Sequence, residues 1–119
     1  MLTVSSSLKV YLSLEPCDMR KSFNGLYGLV VEHLREDPLN GALYVFSNRN
    51  RNRIKILYWD GTGLWVWAKR LEQGTFSWPK MNEAENGKLS LAPDVLQLLL
   101  NGIDLGSATR RSWFRREVA

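Results

Sequence analysis

The chain has 119 residues, a net charge of +4 and a single cysteine, with 45% hydrophobic and 24% charged residues. That length and balance describe one soluble domain with a core of its own. One cysteine excludes an intramolecular disulfide, and no apolar run approaches the roughly 20 residues of a spanning helix. The N-terminus MLTVSSSLKV has no basic start followed by an apolar block, so no signal peptide is expected and the expected compartment is the cytoplasm. The excess charge is unevenly placed. Residues 49–55 hold four cations and no anion, and residues 109–119 hold four arginines and one glutamate. The remainder holds eight positive and eleven negative side chains. Two short basic clusters on a mildly acidic body attract phosphate backbones or acidic protein surfaces; the alternative is solvated loop and tail charge.

In chain order, Leu8 to Leu14 alternates apolar and polar residues and predicts a half-buried strand. Asp18 to about Arg35 predicts a helix, with Met19, Phe23, Leu26, Val30 and Leu34 on one face and Asp18 as N-cap. Gly25 and Gly28 weaken that helix and are expected to permit close packing on a sheet. Pro38 and Gly41 end the segment. Ala42 to Phe46 is a short apolar strand. Arg53 to Trp59 and Leu64 to Arg70 form a hairpin around DGTG, pairing Trp59 with Leu64 and Tyr58 with Trp65. One hairpin face then carries Ile54, Ile56, Tyr58, Trp65 and Trp67, with Lys69 at its end. The other carries Leu57, Trp59, Leu64 and Val66, then Lys55, Arg53 and Arg70 toward the open end. Both faces are apolar near the turn, so cover is expected on both, with Trp59, Trp65 and Trp67 as core. Thr75 to Trp78 is a candidate strand, Met81 to Gly87 a polar loop and Lys88 to Leu91 a candidate minor strand. Ala92 to Asn101 predicts a second helix, with Pro93 in its first turn, Gly102 just past its end, and Ile103 packing back. The order β-α-β-β-β-(β)-α predicts an α+β fold with a mostly antiparallel sheet. Residues 1–104 are read as a single domain and residues 105–119 as a basic tail.

Catalytic chemistry finds little support in these residues. His33 is a lone histidine on a predicted helix, without the cluster a metal site needs. Cys17, before the helix start and near Arg20 and Lys21, is placed where a thiol pKa is lowered. A Cys17–His33 pair would have to span about four helical turns. Nothing selects a carboxylate set for a two-metal nuclease, and Asp60 is explained by its turn. No enzyme, cofactor or metal is expected.

Three features point to anion binding instead. Arg20 and Lys21 fall in the predicted first turn of a helix, where cations and free amides together make an anion site. Arg49, Arg51, Arg53 and Lys55 recur at every second residue, so an extended chain would project all four to one side along a phosphate backbone. Arg110, Arg111, Arg115 and Arg116 surround Trp113 and Phe114, a pattern suited to phosphate contact with base stacking. Each has a plainer reading: ion-paired or solvated cations, a solvated loop, and a tail tethered by its aromatics.

The ordered motifs DMRKSFNGL (18–26), ALYVFSNRNRNRIKILYWDGTGLWVWAKRLEQGTFSWP (42–79) and LQLLLNGID (96–104) resemble the small TnpB-type accessory protein of the IS-sixty-six class of bacterial insertion sequences. That protein is distinct from the RNA-guided nuclease that shares the TnpB name. The resemblance spans residues 8–104 and does not carry the arginine-rich tail. It implies a bacterial protein encoded beside a separate, larger transposase and required for efficient movement of the element, with no catalytic residues to transfer. The reading that follows is a non-enzymatic accessory factor of DNA transposition and recombination. Its expected partners are insertion-element DNA, the transposase of the same element, or both, and not a membrane. The alternative is a protein-interaction module that docks on an acidic transposase surface without touching DNA, with the aromatic hairpin supplying hot spots. The sequence leaves the oligomeric state open.

Overall fold

The computed structural model describes residues 7–80 and 87–102. The expected loop at 81–86, Ile103 and the expected tail, with Arg110, Arg111, Arg115 and Arg116, lie outside the described residues. Seven elements follow one another: β1 (Val10–Ser13), α1 (Phe23–Glu32), β2 (Leu43–Ser47), β3 (Arg53–Trp59), β4 (Leu64–Arg70), β5 (Lys88–Leu91) and α2 (Pro93–Leu100). The fold is α+β, with one five-stranded sheet in the order β4-β3-β2-β1-β5. Three pairings are antiparallel; β1 and β2 run parallel, with Val10 opposite Leu43 and Leu12 opposite Val45. Adjacent parallel strands require a crossover, and α1 supplies it. The candidate minor strand at Lys88–Leu91 is β5. The candidate strand at Thr75–Trp78 is not one: this segment is a strap with buried Phe76 and Pro79.

Alternation along the strands divides the core into two layers. On one face, Leu26, Val30 and Leu34 of α1 and its C-terminal end meet Tyr44, Phe46 and Leu57. On the other, Val95, Leu96 and Leu99 of α2, with Phe76 of the strap, meet Val10, Leu12, Val45 and Ile56. β2 lies at the centre and is buried at all five residues, as a strand covered on both faces must be. The Lys88 ammonium pairs with Glu36 and donates to the Leu34 carbonyl at 2.7 Å, joining β5 to the end of α1. The Tyr44 hydroxyl lies 3.1 Å from the Asp37 carbonyl and 3.0 Å from Asn40 Oδ1, fixing the connection from α1 to β2. Burial holds its pKa above the ordinary phenol range.

The first helix is shorter than its periodicity predicts. It starts at Phe23, Ser22 occupies the N-cap without a side-chain hydrogen bond, and Phe23 itself is 47% exposed. Asp18 is not the cap, because its carboxylate accepts from Arg20 instead. Nor do the two glycines bring the helix onto the sheet. A Cβ at Gly25 would stand 3.0 Å from Lys21 Cβ, and one at Gly28 would meet nothing within 4 Å. Gly25 therefore makes room for the Lys21 stem. α2 follows its predicted caps, with Pro93 in the first turn and Gly102 at φ +78° beyond its end.

Leu12 is fully buried in β1, next to the central strand. Leu12→Ala is expected to lower unfolding free energy by about 3–5 kcal/mol, the usual cost of such a cavity. Chemical denaturation monitored by circular dichroism measures it.

Candidate nucleic-acid interface

The run SNRNRNR does not continue as an extended comb. Residues 48–52 form a closed turn between β2 and β3, built by the asparagines. Asn48 Oδ1 accepts from the backbone N–H groups of Asn52 and Arg53, each at 3.1 Å, and Asn48 Nδ2 donates to Asn52 Oδ1 at 2.7 Å. Arg51 sits at φ +55°, a left-handed backbone that costs a non-glycine residue about 1–2 kcal/mol. Its side chain turns inward. Nη2 donates to the Leu14 carbonyl at 2.8 Å, and the guanidinium lies 5.2 Å from the centre of the Trp78 ring. Nη1 is buried and has no hydrogen-bond partner among the described residues. Burial, and then the neighbouring Arg49 charge, lower the Arg51 pKa. Trp78 Nε1 in turn donates to the Ser13 carbonyl at 3.1 Å, and the Phe76 amide donates to the Arg51 carbonyl at 2.7 Å. Arg51 therefore ties the strap to the end of β1, with its guanidinium turned toward Leu14 and Trp78.

The other cations regroup around the α1 face of the sheet. Arg53 and Lys55 share that face of β3, and Arg53 stands directly opposite Arg70 of β4. Lys55 Nζ donates to the Lys21 carbonyl at 2.8 Å, which brings the entry to α1 beside the strand. Arg20 and Lys21 precede the helix rather than lying in its first turn, so the expected helix-terminus anion site is not formed there. Arg20 grips Asp18, with Nη2 at 2.7 Å from Oδ2 and Nε at 3.1 Å from both oxygens. That hydrogen-bonded guanidinium holds the Asp18 carboxyl down to about 2. The Arg70–Glu72 pair is looser, at 3.3 Å with both side chains more than half exposed, and such pairs contribute little. Lys21, Arg49 and Arg53 form no salt bridge among the described residues. The patch is thus Lys21, Arg53, Lys55 and Arg70, with Arg49 exposed on the adjacent turn. Arg70 was not among the sequence candidates. The signal for it was the hairpin register, which puts it opposite Arg53.

The residues considered for chemistry are placed apart. Cys17 is half-buried and its amide donates to the Ser47 carbonyl at 2.9 Å. Burial raises its thiol pKa, the reverse of the activation expected before a helix. His33 is exposed at the opposite end of α1, so no pair forms. Asp60 Oδ1 accepts from the Thr62 and Gly63 amides and the Thr62 hydroxyl, and Oδ2 accepts from Trp65 Nε1 at 2.7 Å. These donors, the Thr62 amide foremost, hold its carboxyl well below the usual range and explain Asp60 as a turn residue. Among the described residues, no three His, Cys, Asp or Glu side chains are grouped to hold a metal, and no helix is long and apolar enough to cross a membrane.

The hairpin tip is less covered than its two apolar faces suggested. Trp65 is 46% exposed, and Trp59 and Trp67 are partly so. Tyr58, Trp67 and Trp65 stack in series with centroids 5.8 Å apart. Trp65 and Trp67 border a groove of about 340 Å³, also lined by Ile54, Ile56, Lys69 and Leu100. α2 reaches this end of the sheet only through its last residue, whose Leu100 carbonyl accepts from Lys69 Nζ at 2.6 Å, and Trp65 lies beyond that cover.

Fold and site define a small α+β protein with a cationic face and an open aromatic groove. The family described as "IS66 Orf2 like protein" matches residues 8–110. Two proteins of Sinorhizobium fredii (strain NBRC 101917 / NGR234) are similar over most of their length. Uncharacterized protein y4jC is 33% identical over 111 residues, 93% of this chain and 92% of its own. Uncharacterized protein y4hO is 38% identical over 104 residues, 87% of this chain and 88% of its own. No solved structure matches the chain. The chain belongs to the IS66 Orf2-like family and is a transposition-associated accessory protein.

Two outcomes follow from the placement of Arg51 and Cys17. Arg51→Ala is expected to cost about 1–3 kcal/mol of stability, through the lost carbonyl bond and ring contact. Arg53→Ala, on an exposed side chain, is expected to stay within about 0.5 kcal/mol; paired thermal melts compare the two. Because burial raises the Cys17 pKa, the reactive thiolate forms at higher pH than in a free thiol. Iodoacetamide is expected to label native Cys17 more slowly than unfolded Cys17 at pH 8, with the rate climbing at more alkaline pH.

Proposed function

We propose that this accessory protein contacts the phosphate backbone of insertion-element DNA through Lys21, Arg53, Lys55 and Arg70, with Arg49 at the margin. The observation that carries the reading is the juxtaposition of Arg53 and Arg70 across β3 and β4. Like charges directly opposite on a sheet are destabilising, and an anionic ligand removes that penalty. Arg20, held by Asp18, and Arg51, turned inward, are weaker candidates than their spacing implied. The tail arginines Arg110, Arg111, Arg115 and Arg116 remain an additional arm in this proposal, with Trp113 and Phe114 as stacking groups.

A second reading has the same face dock on an acidic surface of the transposase. Support for it comes from Arg53, Lys55 and Arg70, which share one face of two paired strands and could meet carboxylates as well as phosphates. In neither reading does the protein perform chemistry itself.

Titration of fluorescent element-end DNA over a range of salt tests the primary reading. Neutralising about four phosphates gives a log–log slope near −3.6, steeper by whatever the tail adds. Arg53→Ala, Lys55→Ala and Arg70→Ala combined are expected to flatten the slope by about 2.7. An unchanged slope in the triple variant sinks the assignment of this face. Capture of the transposase after nuclease treatment, with no DNA binding at any salt, transfers the face to the second reading.

A further inference from the structure

β4 ends the sheet, and among the described residues no strand pairs with its outer side. It is seven residues long, LWVWAKR, with no proline and five of its residues apolar. The devices that normally blunt an edge are a proline, a bulge, a covering segment or scattered charge. Here the described residues provide only Lys69 and Arg70, both at one end.

The direction of its backbone groups follows from the ladder with β3. The Asp60 amide donates to the Gly63 carbonyl at 3.1 Å and the Leu71 amide to the Asn52 carbonyl at 2.9 Å, and the register between these ends is unbroken. Hydrogen-bonded pairs alternate along an antiparallel ladder. Trp65, Trp67 and Lys69 therefore bond inward to β3, and Leu64, Val66, Ala68 and Arg70 present their N–H and C=O groups outward.

We propose that this edge pairs antiparallel with the β4 edge of a second copy, in a register centred on Trp67. In that register Leu64 meets Arg70 of the second copy and Val66 meets Ala68, so all four outward-facing residues of each strand find partners. No other antiparallel self-pairing of these strands uses all four. The pattern of charge selects the same register. Lys69 faces Trp65 of the second copy and Arg70 faces Leu64, so no cation faces a cation. The two Lys69 positions lie four residues apart along the ladder, about 13 Å, beyond the screening length at physiological salt. Trp67 meets its own counterpart at the non-hydrogen-bonded centre, where side chains approach most closely. The stacked row Tyr58–Trp67–Trp65 then continues across the junction. Trp67 is already stacked with Tyr58 and Trp65 at 5.8 Å, so the contact across the junction extends an existing aromatic row. Opposite residues of an antiparallel pair lie on the same side of a sheet, so the joined ten-stranded sheet carries both cationic patches on one side.

Sedimentation velocity on the nuclease-treated full chain, from micromolar to millimolar concentration, tests the pairing. Wild type is expected to form dimers. Val66→Pro removes an outward N–H and no bond to β3, and edge strands tolerate proline at such a position. It is expected to raise the dimer dissociation constant about thirtyfold, for two edge bonds lost per dimer. Ala68→Lys, on an exposed side chain, is expected to weaken the dimer without disturbing the fold, which circular dichroism follows. In a Cys17→Ser background, Trp67→Cys is expected to form an intermolecular disulfide under mild oxidation, and Ser90→Cys on the opposite edge strand is not. A chain that is monomeric throughout the range overturns the proposal. So does a dimer indifferent to both edge variants, or one cross-linked through residue 90 and not through residue 67.

Discussion

Leu43–Ser47 has no exposed residue, and burying both sides of β2 is the constraint on which the rest of the molecule depends. A strand in that position needs neighbours on both edges and cover on both faces. The crossover from β1 through α1 provides one neighbour and one cover together, and the hairpin of β3 and β4 provides the other neighbour. The second face is closed later in the chain, by the Phe76 strap and α2. A helix is about 10 Å wide, and five strands about 4.8 Å apart span roughly 20 Å. One helix per face therefore cannot cover the whole sheet. β4, at the edge of the sheet, is the strand that carries an exposed tryptophan and a groove.

The sequence was most legible where a single local rule decided the structure. DGTG between two alternating runs fixed the hairpin register, and with it the faces of Ile54, Lys55, Trp65 and Arg70. Pro93 and Gly102 bounded α2 for the same reason. It was least legible where two rules competed. Arginines at every second position suggested a strand, but Asn48, Asn50 and Asn52 between them are turn formers whose side chains bond their own backbone. The turn prevailed, and Arg51 was carried inward. Asp18 met the rule for an N-cap, yet a guanidinium two residues away offered its carboxylate a charged donor, stronger than a neutral amide. The parallel pairing of β1 with β2 has no local signature, since it depends on where α1 returns the chain. The exposure of Trp65 was hidden for a similar reason: apolar patterning reports what a face could bury, not how far the available helices reach.

Of the cations at 49–55, Arg51 shows how burial separates residues that share a spacing. The side chain gives up water for one carbonyl, one aromatic face and a backbone conformation that disfavours its own side chain. Such an arrangement is coherent only if it secures something larger, and the structure shows what that is. Arg51 and Trp78 each bond a carbonyl at the end of β1, Leu14 and Ser13 respectively. Together they fasten the strap that carries Phe76 into the core. Arg53, one turn further along, gives up nothing of the kind. Its side chain stays exposed with another guanidinium opposite, and no salt bridge holds it among the described residues.

That contrast bears on how the two ends of β4 divide their work. Toward the hairpin tip the strand is aromatic and apolar, and Asp60 takes its turn amides, the Thr62 hydroxyl and the Trp65 indole. Toward the other end, among the described residues, Arg70 has a single loose acid partner and Arg53 none. A surface optimised for stability alone would place an acid opposite Arg53, gaining a cross-strand pair worth roughly 0.2–1 kcal/mol instead of a repulsion of similar size. The chain keeps the repulsion within an unbroken antiparallel ladder. The natural account is a ligand of opposite charge, and on the proposed reading that ligand is the element's phosphate backbone. Antiparallel pairing through β4 would put the uncharged, aromatic part of the strand at the junction and keep the two arginine pairs at its flanks, facing one way. On the two proposals the edge and the patch cease to be separate oddities of the same strand: the outer edge of β4 would receive a second copy, and the arginine pair at its end would receive an anion.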